Sequence, residues 1–409
     1  MWSDVPNLRH LRAFVTVADC ASVSRAGRLI HLSQPAITQA LGRLDTRLGA
    51  RLLEHGAGGM VPTEAGTLFH DRARRALDLL ARGAQAALAT EPRKSAGGFA
   101  RFDLLLTVAQ LRALSALAMA GNFSLAAREV GLAQPSIHRA ARDLERISGL
   151  ALFATTPRGI ALTRAGEALA RHASLALAEF EQGFAELAEA RGRDTGQIVI
   201  GSLPLARTAV LPEAINRLTR ERPGLRVRVI GAPYDGMLHR LRHGIIDFLI
   251  GALRDPPPIG DIVQEKLFDD SLAVIARPGH PLAGRAAVAR EDLLDFPWVV
   301  PVEETPTRAV FHHWFSTEEL DRMPGGIIET SSLGLLRGVL AGSNRLSILS
   351  ARQVRDELAH GMLCTLPVAV PFGQRPIGFT FRRDWRPTPS QARLLDHIRA
   401  LAGAGTRPL

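Results

Sequence analysis

A stretch of about sixty residues occurs twice in this chain. Laid over one another at an offset of one hundred, without a gap, residues 8 to 66 and 108 to 166 share Leu11/Leu111, Arg12/Arg112, Ala13/Ala113, Ala26/Ala126, Leu32/Leu132, Gln34-Pro35/Gln134-Pro135, Ile37/Ile137, Leu44/Leu144, Gly49/Gly149, Leu52/Leu152, Thr63/Thr163 and Ala65-Gly66/Ala165-Gly166. About a third of the pairs are identical. Two alanine-rich helices can resemble each other by chance, but chance does not keep Gly, Pro and Thr punctuation across a strand and a loop, so the repeat is a duplication. Whatever one copy folds into, the chain must hold two of them.

Each copy reads as helix, helix, turn, helix, strand, wing, strand, helix. In the first, Leu8, Leu11, Phe14, Val15 and Ala18 keep helical spacing, and Ser22 can cap a short second helix carrying Ala26 and Leu29. His31-Leu32 is the turn. Ser33 caps a third helix with Pro35 in its first turn, where a missing N–H costs little, and Ile37, Leu41, Leu44 and Leu48 form its buried face. Leu52-Leu53 and Met60-Val61 flank the glycine-rich stretch 55 to 59, which suits a two-stranded wing, and Thr63 caps the following helix toward Ala89. The second copy repeats the pattern with a third helix from 134 to about 147, a wing at 155 to 159 and a long helix from about 164 to 191. That long helix carries Phe180, Phe184 and Leu187, more apolar surface than a lone helix leaves in water, so a partner helix is expected, supplied by a second copy of the chain. Residues 90 to 106 between the copies read as a flexible connector.

After Thr195-Gly196 the texture changes to alternating strands and helices: strands at 197 to 201, 226 to 231 and 247 to 251 with helices between them, then a second set from 272 to 360 and a closing strand and helix at 375 to 382 and 390 to 401. This predicts two α/β lobes with mostly parallel sheets and a cleft at the carboxyl ends of the strands. The expected organisation is a first winged unit at 1–66, its following helix at 67–89, the connector at 90–106, a second winged unit at 107–166, a linker and dimerisation helix at 164–192, and a ligand-binding domain at 196–402. Its first lobe is placed at about 196–271 and 375–402, its second at about 272–374.

Composition narrows the function. The longest apolar candidate, 104 to 121, is broken by Gln110 and Arg112, so no membrane-spanning segment is predicted, and the N-terminal residues carry no secretion-signal pattern. The expected location is the cytoplasm. Cys20 and Cys364 cannot build a disulfide framework, and neither they nor the histidines show zinc-ligand spacing, so no metal is predicted. His312-His313 reads as a solvated helix face. A net charge of +10 favours an anionic partner such as nucleic acid. Residues 8 to 75 hold ten arginines against five acids and residues 107 to 172 eight against four, whereas 173 to 190 hold four glutamates and no basic residue, which reads as a solvated flank.

Here the residues reach a known family. Leu-Arg-Ala-Phe at 11 to 14, Leu-Ser-Gln-Pro-Ala-Ile-Thr at 32 to 38, the run 44 to 53 and Pro-Thr-Glu-Ala-Gly at 62 to 66 resemble the winged helix-turn-helix of the LysR-type transcriptional regulators. Leu-Ala-Gln-Pro-Ser-Ile-His at 132 to 138 and Leu-Thr-Arg-Ala-Gly at 162 to 166 repeat the match, and 108 to 402 resembles a whole family member, including Pro-Gly-His-Pro-Leu at 278 to 282. The effector half looks closest to members related to regulators of sugar-binding-protein operons. The departure is the additional N-terminal copy.

The resemblance implies two winged helices, a dimerising helix and a two-lobed, periplasmic-binding-protein-like α/β effector domain. It implies a homodimer or homotetramer that binds double-stranded DNA and RNA polymerase, responds to a small-molecule effector, uses no cofactor and is not an enzyme. A recognition helix presents its N-terminal residues to base edges. That places Ser33, Gln34, Pro35, Thr38 and Gln39 of the first copy and Gln134, Pro135, Ser136, His138 and Arg139 of the second at the reading edge, with Arg43 and Arg142 nearer phosphate and Arg158 in the second wing. Ser202, Leu203, Arg207, Thr208, Tyr234, Thr305, Thr307, Thr330 and Ser331 follow predicted strands and are candidates for the cleft; for each, a helix cap or loop hydroxyl is an equal alternative, and Arg207 weighs two to one as a surface arginine. Two rival readings of the α/β half stay open at this point, a solute-binding protein and an enzyme on the same fold.

Overall fold

The computed structural model describes residues 5–90, 99–157, 159–208, 210–303 and 305–404. Two compact units divide them, one holding both repeats and one holding nearly all of the α/β half.

In the first repeat α1 (Leu8–Cys20), α2 (Val23–Ile30) and α3 (Gln34–Leu48) are followed by the hairpin β1 (Leu53–Gly56) and β2 (Gly59–Pro62) and by α4 (Glu64–Leu88). The second repeat gives α5 (Val108–Ala120), α6 (Phe123–Val130), α7 (Gln134–Ser148), β3 (Phe153–Thr156), β4 (Gly159–Leu162) and α8 (Arg164–Glu189). The punctuation shared by the copies acts locally. Ser33 and Thr63 accept from the backbone N–H of Ala36 and Gly66, and Thr163 from Gly166, each closing a helix start. Ala133 offers no such bond to α7. The turn before each third helix needs a left-handed residue, His31 at φ 55° and Gly131 at φ 66°. Gly66 and Gly166 sit where a Cβ would lie 1.9 and 2.2 Å from the carbonyl oxygens of Leu52 and Leu152, so only glycine lets the wing strand cross the start of the long helix.

One hydrophobic cluster runs through both repeats, with Leu11, Phe14, Ile37, Leu44 and Phe69 beside Leu111, Leu114, Ile137, Leu144, Leu169 and Phe180. Its centre is the packing of α4 on α8. The partner that the apolar face of α8 requires is therefore present in the same chain: Phe184 stacks on Phe69 with ring centroids 5.6 Å apart, and Phe180 and Leu187 are buried. Where the sequence reading expected a second copy to cover Phe180, Phe184 and Leu187, α4 of the same chain packs on them. Residues 91–98 of the expected connector lie outside the described residues. Its second part is folded, since Phe102–Leu105 forms a 3-10 turn with Phe102 fully buried, and Arg12 of the first repeat donates to the Leu104 carbonyl at 2.9 Å.

The second unit is built on a seven-stranded sheet in the order β11-β8-β13-β7-β5-β6, with β12 paired to β8. Its elements are β5 (Gln197–Ser202), α9 (Leu211–Glu221), β6 (Arg226–Ile230), α10 (Tyr234–Arg242), β7 (Phe248–Ala252), β8 (Ile262–Ala276), β9 (Trp298–Val300), α11 (Pro306–Trp314), α12 (Thr317–Arg322), β10 (Ile327–Glu329), α13 (Leu333–Ala341), β11 (Ser347–Ser350), α14 (Arg355–Ala359), β12 (Cys364–Thr365), β13 (Gln374–Arg382) and α15 (Pro389–Ala404). The expectation of a mostly parallel sheet needs correction. β5 with β7 and β9 with β10 are parallel, but β13 runs antiparallel to both β7 and β8, and β11 and β12 run antiparallel to β8. The reason is β8, which starts ten residues before the expected 272: its first part pairs with β13 and its last with β11 and β12, so one long strand serves both lobes. Each lobe keeps its own core, around Trp298, Phe311 and Phe315 on one side and around Met237, Leu241 and Leu249 on the other.

Candidate nucleic-acid interface and effector cleft

The third helix of each repeat buries one face and leaves the other open. Ile37, Ala40 and Leu44 are buried in α3, as are Ile137, Ala141 and Leu144 in α7. Ser33, Gln34, Pro35, Thr38, Gln39 and Arg43 are exposed, and so are Gln134, Pro135, Ser136, His138, Arg139 and Arg142. The open face begins at the helix N-terminus, where main-chain N–H groups add positive potential.

The two faces carry unlike chemistry. Gln34 is hydrogen-bonded to Ser24 Oγ and Gln134 to Ser124 Oγ at 3.1 Å, so each α2-type helix orients the first glutamine of the next. Thr38 Oγ1 donates to the Gln34 carbonyl at 3.1 Å. In the second copy the His138 ring leans on Phe123, centroids 5.0 Å apart. Arg139 is exposed on the open face. Arg142 is tied to Glu145 at 2.9 Å, and the same Glu145 accepts from the N–H groups of Leu152 and Phe153 that begin the wing. Asp45 does the same for Leu52 in the first copy. Arg158 lies outside the described residues.

Behind these faces the two long helices meet through a buried ion cluster absent from the sequence reading. Arg72 is 4% exposed; its Nη1 donates to Glu179 at 2.9 Å and Gln182 at 2.8 Å, and its Nε to Glu186 at 3.0 Å. Arg75 reaches Glu179 at 2.9 Å. Burial pushes the Glu179 carboxyl up, but Arg75 and Arg72 outweigh it and hold it below the usual carboxylate range. The glutamates at 173 to 190 are thus no uniformly solvated flank, since Glu179 and Glu186 neutralise a buried cation. The signal was two arginines on α4 at a spacing that places them on one face.

In the second unit the candidate cleft residues separate. Ser202 is fully buried and its hydroxyl donates to the Leu203 carbonyl at 3.2 Å; the Leu203 side chain fills the space above Gly251. Arg207 spends Nε and Nη2 on the Ser202 carbonyl at 3.1 and 2.8 Å, and Thr208 donates to the Leu205 carbonyl. Thr305 caps α11, Thr330 accepts from the Ser332 N–H at 3.0 Å, and Ser331 is exposed. Two candidates join a charged group that sequence reasoning missed. Arg375 at the head of β13 donates to Thr307 Oγ1 at 2.7 Å and to Asp270 at 3.2 Å, and Ser350 donates to Asp270 at 2.6 Å. Arg254 lies over the Tyr234 ring at 4.7 Å, and the Tyr234 hydroxyl is buried with no hydrogen-bond partner among the described residues. Burial lowers the Arg375 pKa from its ordinary value, Asp270 opposes this, and the nearby Arg254 adds to it. Asp270 is raised by burial against the pull of Ser350 and Arg375. Arg375 and Arg352 both act on the Asp270 carboxylate, and Arg254 stands near Arg375 and over Tyr234, whose ring also feels Asp235. No group of three His, Cys, Asp or Glu that could hold a metal occurs among the described residues, and His312 lies beside Arg308 and Glu303.

Comparison with known proteins follows the same division. Residues 8–67 and 108–167 each match the family described as bacterial regulatory helix-turn-helix protein, lysR family, and residues 191–403 match the LysR substrate binding domain. The chain is 33% identical over 396 residues to the HTH-type transcriptional regulator GalR of Pseudomonas putida, covering 97% of each chain, a span that must include both repeats. It is 27% identical over 278 residues to the HTH-type transcriptional regulator PcaQ of Agrobacterium fabrum, covering 68% of this chain and 89% of that one. Among solved structures, a full-length OxyR from Pseudomonas aeruginosa shares the fold, with a TM-score of 0.54, 24% identity and coverage of 74% of this chain and 99% of that one.

Proposed function

The chain belongs to the LysR family of bacterial regulators, and from that premise we propose that it is a sequence-specific DNA-binding transcriptional regulator whose two-lobed domain takes a small-molecule effector. The observation that carries this is the pair of open recognition-helix faces, each with amide, hydroxyl or guanidinium groups at its N-terminal end. Gln pairs bidentately with adenine and Arg with guanine, and the surrounding arginines neutralise phosphate. The rival readings, a solute-binding protein or an enzyme on the two-lobed fold, give no reason for two such faces, and the relatives are named as regulators.

The effector site we assign to the lobe-spanning group of Arg254, Arg375, Thr307 and Tyr234. Excess guanidinium charge and a free phenol suit a small anion that also offers a hydrogen-bond acceptor. A ligand touching β13 of one lobe and α11 of the other favours one lobe arrangement over another, and such differential affinity is what shifts a regulator between states. Contact with RNA polymerase and assembly into dimers or tetramers complete the reading, with the cytoplasm as the working compartment. No helix is long and apolar enough to cross a membrane among the described residues.

The test is titration of the full chain with duplex DNA at several salt concentrations. Specific binding that weakens steeply with salt, through counterion release, is expected. Binding indifferent to salt, or none, overturns the proposal.

A further inference from the structure

We propose that a single chain carries a complete two-headed DNA reader, its halves paired in cis through α4 and α8, and that it takes an asymmetric operator with two unlike half-sites. The inference rests on the DNA-binding reading above and adds to it which surfaces read, how they are joined and what sequence class they accept.

The contacts between α4 and α8 obey a two-fold rule. Position 183 faces position 72, and position 83 faces position 172, which is the same contact moved by the repeat offset of one hundred. A Cβ on Gly183 would lie 3.1 Å from the Arg72 Cβ, and one on Gly83 would lie 2.6 Å from the His172 Cβ. The helices therefore run antiparallel about a pseudo-two-fold axis that also relates the recognition helices α3 and α7. Duplex DNA has the same local symmetry, so paired readers related by a two-fold address half-sites about one helical turn or a multiple apart.

Around this axis the side chains are not symmetric, and their chemistry selects α4 with α8. Arg72 meets Glu179, Gln182 and Glu186. The positions one repeat away from Glu179, Gln182 and Glu186 are Leu79, Arg82 and Ala86, with no carboxylate among them, and Arg82 lowers the His172 pKa. Were α4 to pair with α4 of another chain, each buried Arg72 would face Leu79, Arg82 and Ala86, a cation in an apolar seam with another cation beside it. Were α8 to pair with α8, the buried Glu179 would lose both of its arginines. An uncompensated buried charge is among the most destabilising defects a seam can hold. The pairing is thus heterotypic, and the short segment between Leu88 and Val108 keeps the partner at an effective concentration on the order of millimolar, favouring closure within one chain. The folded end of that segment supports it, with Phe99 N donating to the Ile147 carbonyl at 3.1 Å and Arg12 holding the Leu104 carbonyl.

Because the heads differ, the half-sites must. Both heads begin with a glutamine, but Ala36, Thr38 and Gln39 of the first stand where the second has Ser136, His138 and Arg139, so a methyl, a hydroxyl and an amide face the places of a hydroxyl, an imidazole and a guanidinium.

The experiment selects bound sequences from randomised duplex DNA with the full chain, then with Thr38→Ala/Gln39→Ala and with Gln134→Ala/Arg139→Ala. Expected are two unlike half-sites at fixed spacing, with each variant losing about tenfold or more of base preference in one half only. A palindromic site whose two halves change together in the second-copy variant, and not at all in the first-copy variant, overturns the inference. No enriched sequence from the unaltered chain takes down the DNA-binding reading itself. Pairing in cis is tested by reversing the ion cluster. A chain with Arg72→Glu/Arg75→Glu and a chain with Glu179→Arg/Glu186→Arg should each bind the two-part site at least about tenfold more weakly, and one chain carrying all four changes should recover. Mixing the two impaired chains should not restore binding. Recovery on mixing means that α4 and α8 pair between chains, and a four-fold variant that stays impaired removes the role given to the cluster; either result overturns the proposal.

Discussion

The Arg72 guanidinium donates to the Glu179 carboxylate at 2.9 Å across 107 residues of sequence, and both groups are buried. In water such a pair contributes little; in this seam each charge depends on the other, because neither can recover its hydration. Replacing Arg72 by Ala leaves Glu179 with Arg75 alone and Glu186 without its bidentate partner. The first repeat and α8 should lose about 3–5 kcal/mol of stability, read by denaturant unfolding of the full chain. A loss within the range of an exposed pair would show that water reaches the cluster.

The two crossing glycines should respond unequally to the same change. Gly83→Ala puts a methyl group 2.6 Å from the His172 Cβ, whereas Gly183→Ala meets the Arg72 Cβ at 3.1 Å. Both overpack the seam, a defect that costs about 1–3 kcal/mol, with Gly83→Ala the more damaging. Thermal melts of the two variants give the order.

Acid should loosen the same seam. Burial, reinforced by Arg171 and Arg82 and opposed by a hydrogen bond to the Ala168 carbonyl, holds the His172 imidazole below its ordinary value of 6.5. The folded state therefore prefers the neutral ring. Its contribution is full above pH 6.5 and is lost as pH falls through the depressed folded value. Glu179 is also lowered, from 4.5, so its contribution is full above pH 4.5 and is lost at still lower pH. His172→Gln should remove part of the loss that begins at 6.5 and spare the later one. His10, lowered by burial and by Arg43, keeps its own share. Unfolding measured as a function of pH for the two chains decides this.

The caps of the recognition helices make a matched pair. Ser33 accepts from Ala36 N, and Ala133 offers nothing in the equivalent place. Ser33→Ala should cost about 1 kcal/mol and Ala133→Ser should gain a similar amount. Hydrogen exchange of the first-turn amides of α3 and α7 follows each change separately.

In the second unit, Arg375→Ala removes the donor to both Thr307 and Asp270, and Arg254→Ala removes the cation over Tyr234. Arg254→Ala should abolish the response to an anionic effector while operator affinity without effector stays unchanged. Arg375→Ala should do the same and also destabilise the lobe, because the buried Asp270 then loses its hydrogen-bonded guanidinium and keeps the Ser350 hydrogen bond and the more distant Arg352. DNA binding measured with and without candidate anions separates the two effects.

The recurrence of Ser33, Pro35, Gly49, Thr63 and Gly66 one hundred residues on specifies the fold of both repeats, because caps, first-turn proline and close-approach glycine act through neighbours a few residues away. Such interactions are visible in one dimension. The exposed faces of α3 and α7 follow from the same periodicity, and the resemblance to a winged helix-turn-helix then singled out their N-terminal residues as the reading edge. The alternation of strands and helices likewise announced two α/β lobes. It missed the first part of β8, whose paired partners lie in distant segments and leave no local pattern.

What only the tertiary structure decided is which groups meet. The glutamates of α8 looked solvated because nothing nearby opposed them; α4 brings Arg72 and Arg75 from more than one hundred residues away. The apolar face of α8 called for a partner, and spacing cannot say whether that partner belongs to the same chain. Arg375 was one arginine among many until β13 placed it beside Asp270 and Thr307. A charge's energy depends on its surroundings in space, through burial and the counter-charge within a few ångströms, and a linear pattern holds neither.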